Sequence, residues 1–321
     1  MPSGFLALCS ANLSISDDIN PAETNDNYPE KQFGISLYTG NSTTGHSITG
    51  LGFKPDLLWC KMRNSSQNNQ LYDSSRMNSR SPTPTPLGLR SDTSGAEFDD
   101  TSTGNNAAII ASFDNDGFTL GGSGSGPNDN ARTYVAWCWR ASGGTKTTDS
   151  SANITVQRQS NTASGFAILT YSGNGSDNQT IAHGLGAKPA FIIIKNRDTT
   201  NDWSVWTQHL GDNSKWIQLN STSAQQSDSN QFYNSGMTTS TIGVRSGASV
   251  NGNGNDIVAY VWSEIKGYSK FGTYVGSGNA NGPFIYTGFR PAMYFVKNAT
   301  ASNGWFVFDK LRDGFNDQND T

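Results

Sequence analysis

The sequence has few charged residues: Asp, Glu, Lys and Arg make up 15% of its 321 residues, against about 25% in a typical soluble protein. Its 22 Lys and Arg residues are spread along the chain and its formal net charge is −4. A protein of this kind offers no basic patch to a phosphate backbone. We therefore expect no nucleic-acid binding.

Long apolar runs are also missing. No stretch of the sequence approaches the roughly 18 apolar residues that cross a bilayer. Residues 1–9 have no basic flank, and their apolar run is too short for a secretory signal. We expect no membrane insertion, and we expect the chain to fold in a cytoplasm.

Cysteine and histidine are scarce, with three of each: Cys9, Cys60 and Cys138, and His46, His183 and His209. An odd number of distant cysteines without a CxxC favours reduced core thiols over a disulfide framework or a zinc site. The histidines have no metal-ligand spacing, which favours surface or turn positions. We predict no cofactor.

Motifs of catalysis and ligand binding are weak or absent. Asp114 and Asp116 resemble the opening of a calcium loop, but the later Glu of that loop is missing, and an Asp-Gly pair between two strands first indicates a hairpin turn. They remain a weak calcium candidate. The glycine-rich residues 121–126 lack the Lys-Ser or Lys-Thr of a phosphate loop. There is no GxSxG motif and no evident carboxylate pair, so we predict that the protein is not an enzyme.

Glycine, by contrast, is abundant, with 35 residues, and so are aromatic side chains, with 8 Trp, 11 Tyr and 16 Phe. Short β-branched and aromatic runs alternate with Gly, Asn, Asp and Ser clusters, and no window has a helical period. This pattern predicts an all-β protein of tandem antiparallel β-sandwich or jelly-roll-like domains, with almost no helix.

A motif of Tyr, Pro and Lys recurs three times, at Tyr38, Pro55 and Lys61, at Tyr171, Pro189 and Lys195, and at Tyr274, Pro291 and Lys297. The spacing from Tyr to Pro is 17, 18 and 17 residues, and from Pro to Lys it is six residues each time. The apolar run between Pro and Lys predicts a strand buried on both faces, with the proline at its start. The sequence therefore predicts three copies of one unit.

A second shared segment ends the first two copies, at residues 132–139 and 256–263, and has no third counterpart before Thr321. Residues 306–312 match a mid-unit position of the second copy. A β unit without its last strands exposes an apolar edge. We therefore expect the native chain to be longer, or a neighbouring chain to complete the third unit.

These segments predict five regions. They are an N-terminal arm or attachment segment (1–33), a first β-sandwich repeat (34–142) with a Pro/Thr-rich insertion (64–103), a linker (143–162), a second repeat (163–267) and an incomplete third repeat (268–321). We expect the insertion to be an extended arm or loop.

Tryptophans that border loop-rich stretches are the candidate ligand contacts: Trp203, Trp206, Trp216 and Trp305. Sugar rings stack on exposed aromatic faces, whereas core packing is the more common role of such residues. An exposed cluster of them would favour sugar binding.

The motifs at residues 50–61, 134–141 and 267–274 resemble a domain of unknown function that recurs in virion structural proteins of bacteriophages of cyanobacteria and other marine bacteria. The resemblance covers roughly residues 34–321. Residues 2–13 resemble the end of a SPRY-type domain that often precedes this domain, and the remainder of that domain is not in this chain. No catalytic residues are attributed to the family.

The resemblance implies a virion component, such as a tail fibre, an appendage or a capsid decoration, that is assembled in the host cytoplasm. Its expected partners are other virion proteins, further copies of the chain in a homo-oligomer (a trimer being one candidate) and a host surface glycan. A glycan-binding adhesin or lectin module is the alternative function. A polysaccharide-degrading enzyme is less favoured, since its carboxylates would have to lie on distant strands.

Overall fold

The computed structural model describes residues 28–79, 84–99, 109–122, 126–212 and 214–312, and nearly all its regular structure is β. Within these residues there is one α-helix of four residues, α1 (Ala248–Asn251), and there are short 3-10 turns at Pro29–Lys31 and Asn234–Gly236. The sheets are antiparallel. The all-β prediction is confirmed.

The strands up to residue 142 are β1 (Phe33–Thr39), β2 (His46–Thr49), β3 (Leu57–Met62), β4 (Gln70–Met77), β5 (Pro86–Arg90), β6 (Ile110–Asp114), β7 (Gly117–Leu120) and β8 (Thr133–Trp139). The strands after it are β9 (Thr147–Asp149), β10 (Val156–Asn161), β11 (Phe166–Ser172), β12 (Gln179–Ala182), β13 (Pro189–Asn196), β14 (Ser204–Thr207), β15 (Lys215–Gln218), β16 (Gln226–Ser227), β17 (Thr241–Val244), β18 (Asp256–Ser263), β19 (Met293–Lys297) and β20 (Trp305–Asp309).

The first half of the chain forms a sandwich. Its larger sheet, the first sheet, has the strand order β1-β8-β3-β4-β5, and the smaller sheet has the order β2-β7-β6. Apolar residues from both sheets meet in one core, among them Leu58, Cys60 and Phe118. The Cys60 thiol is buried there, and burial raises its pKa to about 12.

The second half repeats this layered plan. The second sheet has the order β16-β15-β14-β13-β18-β11-β10-β9, and the pair β12-β17 covers one of its faces. The core between these two layers contains residues such as Ile192, Ile194 and Val261.

A central core lies between the first and the second sheet. Leu57 and Trp59 of β3 point into it from one side, and Phe191 and Ile193 of β13 point into it from the other. The alternate residues of β3 and β13 point the other way, into the cores within the two halves of the chain, which we call the outer cores. Both strands are therefore covered on both faces. This explains why each of these strands is an unbroken apolar run.

The two large sheets share strand order and register. In the first sheet β8 lies between β1 and β3, and in the second β18 lies between β11 and β13. Trp139 pairs with Leu57 in the first sheet, and Trp262 pairs with Phe191 in the second. We call β3, β13 and β19 lead strands, since each follows the proline of the repeated motif, and β8 and β18 closing strands.

The structure corrects two predicted regions. The insertion at 64–103 is not a loop or an arm, because its residues 70–77 and 86–90 form β4 and β5 of the first sheet. The linker at 143–162 contains β9 and β10, which extend the second sheet beside β11. Both stretches were misread because the strands bury polar side chains, such as Arg76 and Gln159.

The third hairpin, β19-β20, follows the second sheet and packs against the central core through Met293, Phe295 and Val307. It corresponds to the hairpins β3-β4 and β13-β14, because Met293 pairs with Asp309 as Leu57 pairs with Asp73. Residues 1–27 of the predicted N-terminal arm and residues 313–321 lie outside the described residues.

Candidate functional site

The tryptophans predicted as ligand contacts occupy packing positions. Trp203, Trp206 and Trp216 are buried, and Trp305 is half-buried. The Trp206 indole N–H donates to Asn234 Oδ1 at 2.9 Å. The buried faces of the first three leave no room for a sugar ring, and the structure does not bring the four together on one surface.

The weak calcium candidate forms the β6-β7 hairpin. Asp116 accepts the backbone N–H groups of Gly50 and Gly52, which lower the pKa of its carboxyl group. Asp114 accepts the hydroxyl groups of Ser112 and Thr119, at 2.7 Å each. Both carboxylates thus fix turns, and the described residues contain no group of three or more His, Cys, Asp or Glu side chains that could hold a metal.

His183 is fully buried rather than a surface histidine. Its Nδ1 accepts the backbone N–H of Leu185 at 3.1 Å, and its Nε2 lies 3.3 Å from the Thr238 carbonyl oxygen. Burial, with a smaller effect from nearby Arg158, lowers the pKa of His183 to about 4. The imidazole is therefore neutral near pH 7 and serves the turn.

The most unusual chemistry lies where the first and second sheets meet. Asp73 and Arg76 form an ion pair of 2.6 Å with no exposed side-chain surface on either residue. Asp73 Oδ2 also accepts the hydroxyl of Tyr260 on the closing strand β18, at 2.6 Å. Glu97 binds both Arg76, at 2.5 Å, and Arg197 of the second sheet, at 2.7 Å. The network therefore joins the two halves of the chain.

Electrostatic interactions keep Arg76 and Glu97 ionised despite burial. Burial alone disfavours the charged form of Arg76, but the carboxylates of Asp73 and Glu97 raise its pKa well above the usual value. Burial likewise opposes the charge of Glu97, and Arg76 and Arg197 lower its pKa overall. Removing one partner from this network would leave a buried charge uncompensated, which is strongly destabilising.

The same arrangement recurs at the third hairpin. Asp309 accepts the side chain of Arg312 at 2.6 Å and the backbone N–H groups of Leu311 and Arg312, as Asp73 does within 73–76. Asp309 also accepts the indole N–H of Trp137 at 3.0 Å. By register, Trp137 of β8 stands where Tyr260 stands in β18. In both places the Asp of an Asp-x-x-Arg segment accepts a hydrogen bond from an aromatic side chain of a closing strand. We say that such a segment clasps the closing strand.

A second pair of contacts recurs as well. The Trp203 indole N–H donates to the Arg90 carbonyl at 2.9 Å, and the Trp305 indole N–H donates to the Gln218 carbonyl at 3.0 Å. Arg90 and Gln218 occupy the same position by register, since they pair with Gln70 of β4 and Ser204 of β14. The second sheet therefore docks on the first as the third hairpin docks on the second.

The lysines of the repeated motif support these junctions. Lys195 Nζ donates to the carbonyls of Ser94 and Asn201, at 3.1 and 2.9 Å. Lys297 Nζ donates to those of Thr222 and Asn303, at 3.1 and 2.6 Å. Ser94 and Thr222 each lie four residues beyond the tryptophan-bonded carbonyl. Lys195 and Lys297 therefore tie β13 and β19 to a loop of the preceding sheet, whereas Lys61 of β3 binds the Gln67 carbonyl within its own unit.

Sequence reasoning missed these junction residues: Asp-x-x-Arg occurs at 73–76 and 309–312, but it also occurs at 129–132, which does not form a junction. Their chemistry fixes strands and is not arranged around a cavity. The depression lined by Cys60, Met62 and Tyr134 has no enclosed space even for water. The arrangement holds the sheets together.

Comparison with known proteins gives one match. No curated protein matches the chain, and no solved structure matches it. No helix within the described residues is long and apolar enough to span a membrane. The sequence model of one family, described as Domain of unknown function (DUF7483), matches residues 28–321, and the chain belongs to that family.

Proposed function

We propose that this chain is a structural component of a bacteriophage virion, a tail fibre, appendage or capsid decoration, built from three tandem copies of one β unit. The units are residues 34–142, 163–267 and 268–321. The observation that carries the proposal is the repeated junction, in which Trp203 and Trp305 bind equivalent carbonyls and Asp73 and Asp309 clasp equivalent closing-strand residues.

The chemistry of the described residues supports a scaffold. Its buried charges serve the junction between sheets, and its candidate tryptophans serve packing. A particle component must keep its shape without a cofactor or substrate, and buried polar networks provide that specificity when every partner is present. The resemblance of the repeated motifs to domains of phage virion proteins supplies the biological setting.

The exposed aromatic residues of the described part of the chain lie in the third unit and include Tyr274 and Tyr286. They do not favour a glycan-binding function. Tyr171, the counterpart of Tyr274 in the repeated motif, is buried, and its hydroxyl donates to the Val250 carbonyl at 2.7 Å. The repeated motif therefore gives Tyr274 a packing position rather than a place on a sugar-binding face.

Labelling of purified particles with an antibody against this chain tests the proposal. We expect label on intact virions of the phage that encodes the chain, and an antibody against a host cytoplasmic protein serves as the control. A chain that is abundant in the lysate but absent from particles would refute the structural role.

The copy number then separates the forms. Quantitative mass spectrometry of the particle, relative to the major capsid protein, should give a few to a few dozen copies for a fibre and many more for a decoration protein. Sedimentation of the purified chain tests self-association, for which we propose a homo-oligomer, with a trimer as the first candidate.

A further inference from the structure

The third hairpin has an open edge where its counterparts are paired. The lead strands β3 and β13 each lie between a closing strand and a following strand. The lead strand β19 pairs with β20 only, among the described residues. Its second edge thus has no strand neighbour in the described part of the chain.

The hydrogen-bonding direction of this edge follows from its neighbour. The Lys310 N–H donates to the Ala292 carbonyl, and backbone groups of an antiparallel strand alternate between its two sides. The backbone N–H and C=O groups of residues 292, 294 and 296 therefore point toward β20. The backbone groups of Met293, Phe295 and Lys297 turn toward the open edge.

The second sheet shows what occupies this edge. There the Arg197 N–H donates to the Asp256 carbonyl. The backbone groups of Phe191, Ile193 and Lys195 therefore point toward the closing strand β18. These are the counterparts of Met293, Phe295 and Lys297. The two edges present the same backbone groups, one paired and the other open.

The side chains agree with the backbone. Tyr294 and Phe306 of the third hairpin are 51% and 54% exposed. Their counterparts in the first sheet are Leu58 and Gln70, which are 0% and 5% exposed. The outer face of the third hairpin thus presents apolar surface that the complete units cover.

We propose that the open edge of β19 is a docking site for one antiparallel strand of the closing-strand type, from a polypeptide segment other than residues 1–321. The two known closing strands define its pattern at 135–139 and 258–262: Val, Ala, an aromatic residue, Val or Cys, and Trp. The first, third and fifth residues face the central core. The second and fourth face an outer core.

The junction pattern also specifies the aromatic residue. Trp137 and Tyr260 each donate a hydrogen bond to an Asp, and each closing strand is clasped by another unit. The hairpin β3-β4 clasps β18, and the hairpin β19-β20 clasps β8. The remaining hairpin, β13-β14, is therefore the one that would clasp a third closing strand. By register, that hairpin has Thr207 at the Asp position and Leu210 at the Arg position. Because Thr207 supplies no carboxylate that needs a donor, the docked strand should tolerate Phe as well as Tyr at its aromatic position.

A synthetic peptide that copies residues 256–263, with lysines added at both ends for solubility, tests the proposal on the full 321-residue chain. Binding is measured by fluorescence anisotropy of a dye on the peptide. We expect saturable binding, and we expect the Tyr260→Phe peptide to bind within about threefold of the original, since Thr207 offers at most one neutral hydrogen bond.

Backbone methylation supplies the matched control. In β18 the amides of Val258 and Tyr260 face the lead strand, and those of Ile257 and Ala259 face β11. A peptide N-methylated at Val258 and Tyr260 should bind about tenfold more weakly or worse, because two ladder hydrogen bonds are lost. A peptide N-methylated at Ile257 and Ala259 should bind within about twofold of the original, since those amides face away from β19.

Several outcomes would overturn the proposal: no binding, or equal weakening by the two methylation patterns. Binding that emerges only after residues 1–27 are removed would assign the edge to that segment. Binding that weakens as the chain is concentrated would assign it to a second copy. The inference rests on the three-copy part of the proposed function but not on the virion, so particle labelling and peptide binding can fail independently.

Discussion

The Asp-x-x-Arg segments at 73–76 and 309–312 have the same local geometry and different surroundings. Both ion pairs measure 2.6 Å, and both Asp residues clasp an aromatic residue of a closing strand. Arg76 has no exposed side-chain surface, whereas 22% of the Arg312 side chain is exposed. The first segment also binds Glu97, which extends it to the second sheet.

This difference shows that a contact and its contribution to stability are separate properties. A buried ion pair costs several kcal/mol when one partner is removed, because the other charge remains without solvent. A partly exposed pair leaves a charge that water can reach, and it contributes about 1 kcal/mol or less. The junction of the first two sheets should therefore be rigid, and the third hairpin loosely held.

The largest expected effect is that of Asp73→Ala. It leaves the buried Arg76 charge and the Tyr260 hydroxyl without their carboxylate partner, and it should lower the free energy of unfolding by about 3–5 kcal/mol. Urea denaturation, followed by tryptophan fluorescence, measures the loss. Asp309→Ala is the matched control: it leaves the Arg312 charge within reach of water but removes the acceptor of the buried Trp137 indole N–H, so the expected loss is about 1–3 kcal/mol. Equal losses would show that burial does not distinguish the two junctions.

The tryptophans of the junctions give the next comparison. Trp203→Ala removes a fully buried ring and its hydrogen bond to Arg90, and should cost about 3–5 kcal/mol. Trp305→Ala removes a half-buried ring with the equivalent bond to Gln218, and should cost less than half as much. Thermal unfolding of the two variants measures the difference. A larger loss for Trp305→Ala would contradict the ranking.

Tyrosine hydroxyls test the charge at the junction itself. Tyr260→Phe removes a hydrogen bond to the Asp73 carboxylate and should cost about 2 kcal/mol. Tyr171→Phe removes an equally buried bond to the neutral carbonyl of Val250 and should cost about 1 kcal/mol. Urea midpoints of both variants decide the matter, and equal shifts would argue against a charged Asp73.

The smallest expected effect is a pH dependence within the second unit. The pKa of His183 is lowered to about 4 in the fold from 6.5, so the unfolded chain binds the proton more readily. The stabilisation by neutral His183 is present above pH 6.5 and is lost as pH falls toward 4. Between pH 6.5 and 4.5 the wild type should lose roughly 1–2 kcal/mol through this group.

Its test compares two variants. His183→Asn retains an acceptor for the Leu185 N–H and should remove most of the loss between pH 6.5 and 4.5. His209→Asn changes an exposed histidine and should keep the wild-type pH profile. Urea denaturation at both pH values provides the comparison. An unchanged profile in His183→Asn would assign the acid sensitivity to other groups.

The sequence predicted the elements whose burial is apolar. The runs at 57–62, 189–196 and 256–263 are continuous because each strand lies between two cores. It did not predict β4 or β10, because Arg76 and Gln159 are polar by type and buried only through partners far along the chain. Gln159 donates to Ser74 and Ser75 in β4, a pairing that only the fold brings about.

The candidate residues divide in the same way. The candidate tryptophans border loop-rich stretches of the sequence. That position does not show which sheet packs against their side chains in the fold. The spacing Asp-x-x-Arg is present at both junctions but also at 129–132, and the junction partners Tyr260 and Trp137 lie 187 and 172 residues from Asp73 and Asp309. Their roles therefore depend on how the sheets stack.

Hydrogen exchange of the chain alone tests the central claim most directly. The claim is that β19 corresponds to β13 but has no strand paired with its second edge. In the second sheet the amides of Phe191 and Ile193 are paired with β18 and should exchange only on global unfolding. In the third hairpin the amides of Met293 and Phe295 should exchange at least about 100-fold faster, since they face an open edge. Equal protection of the two pairs would contradict the account.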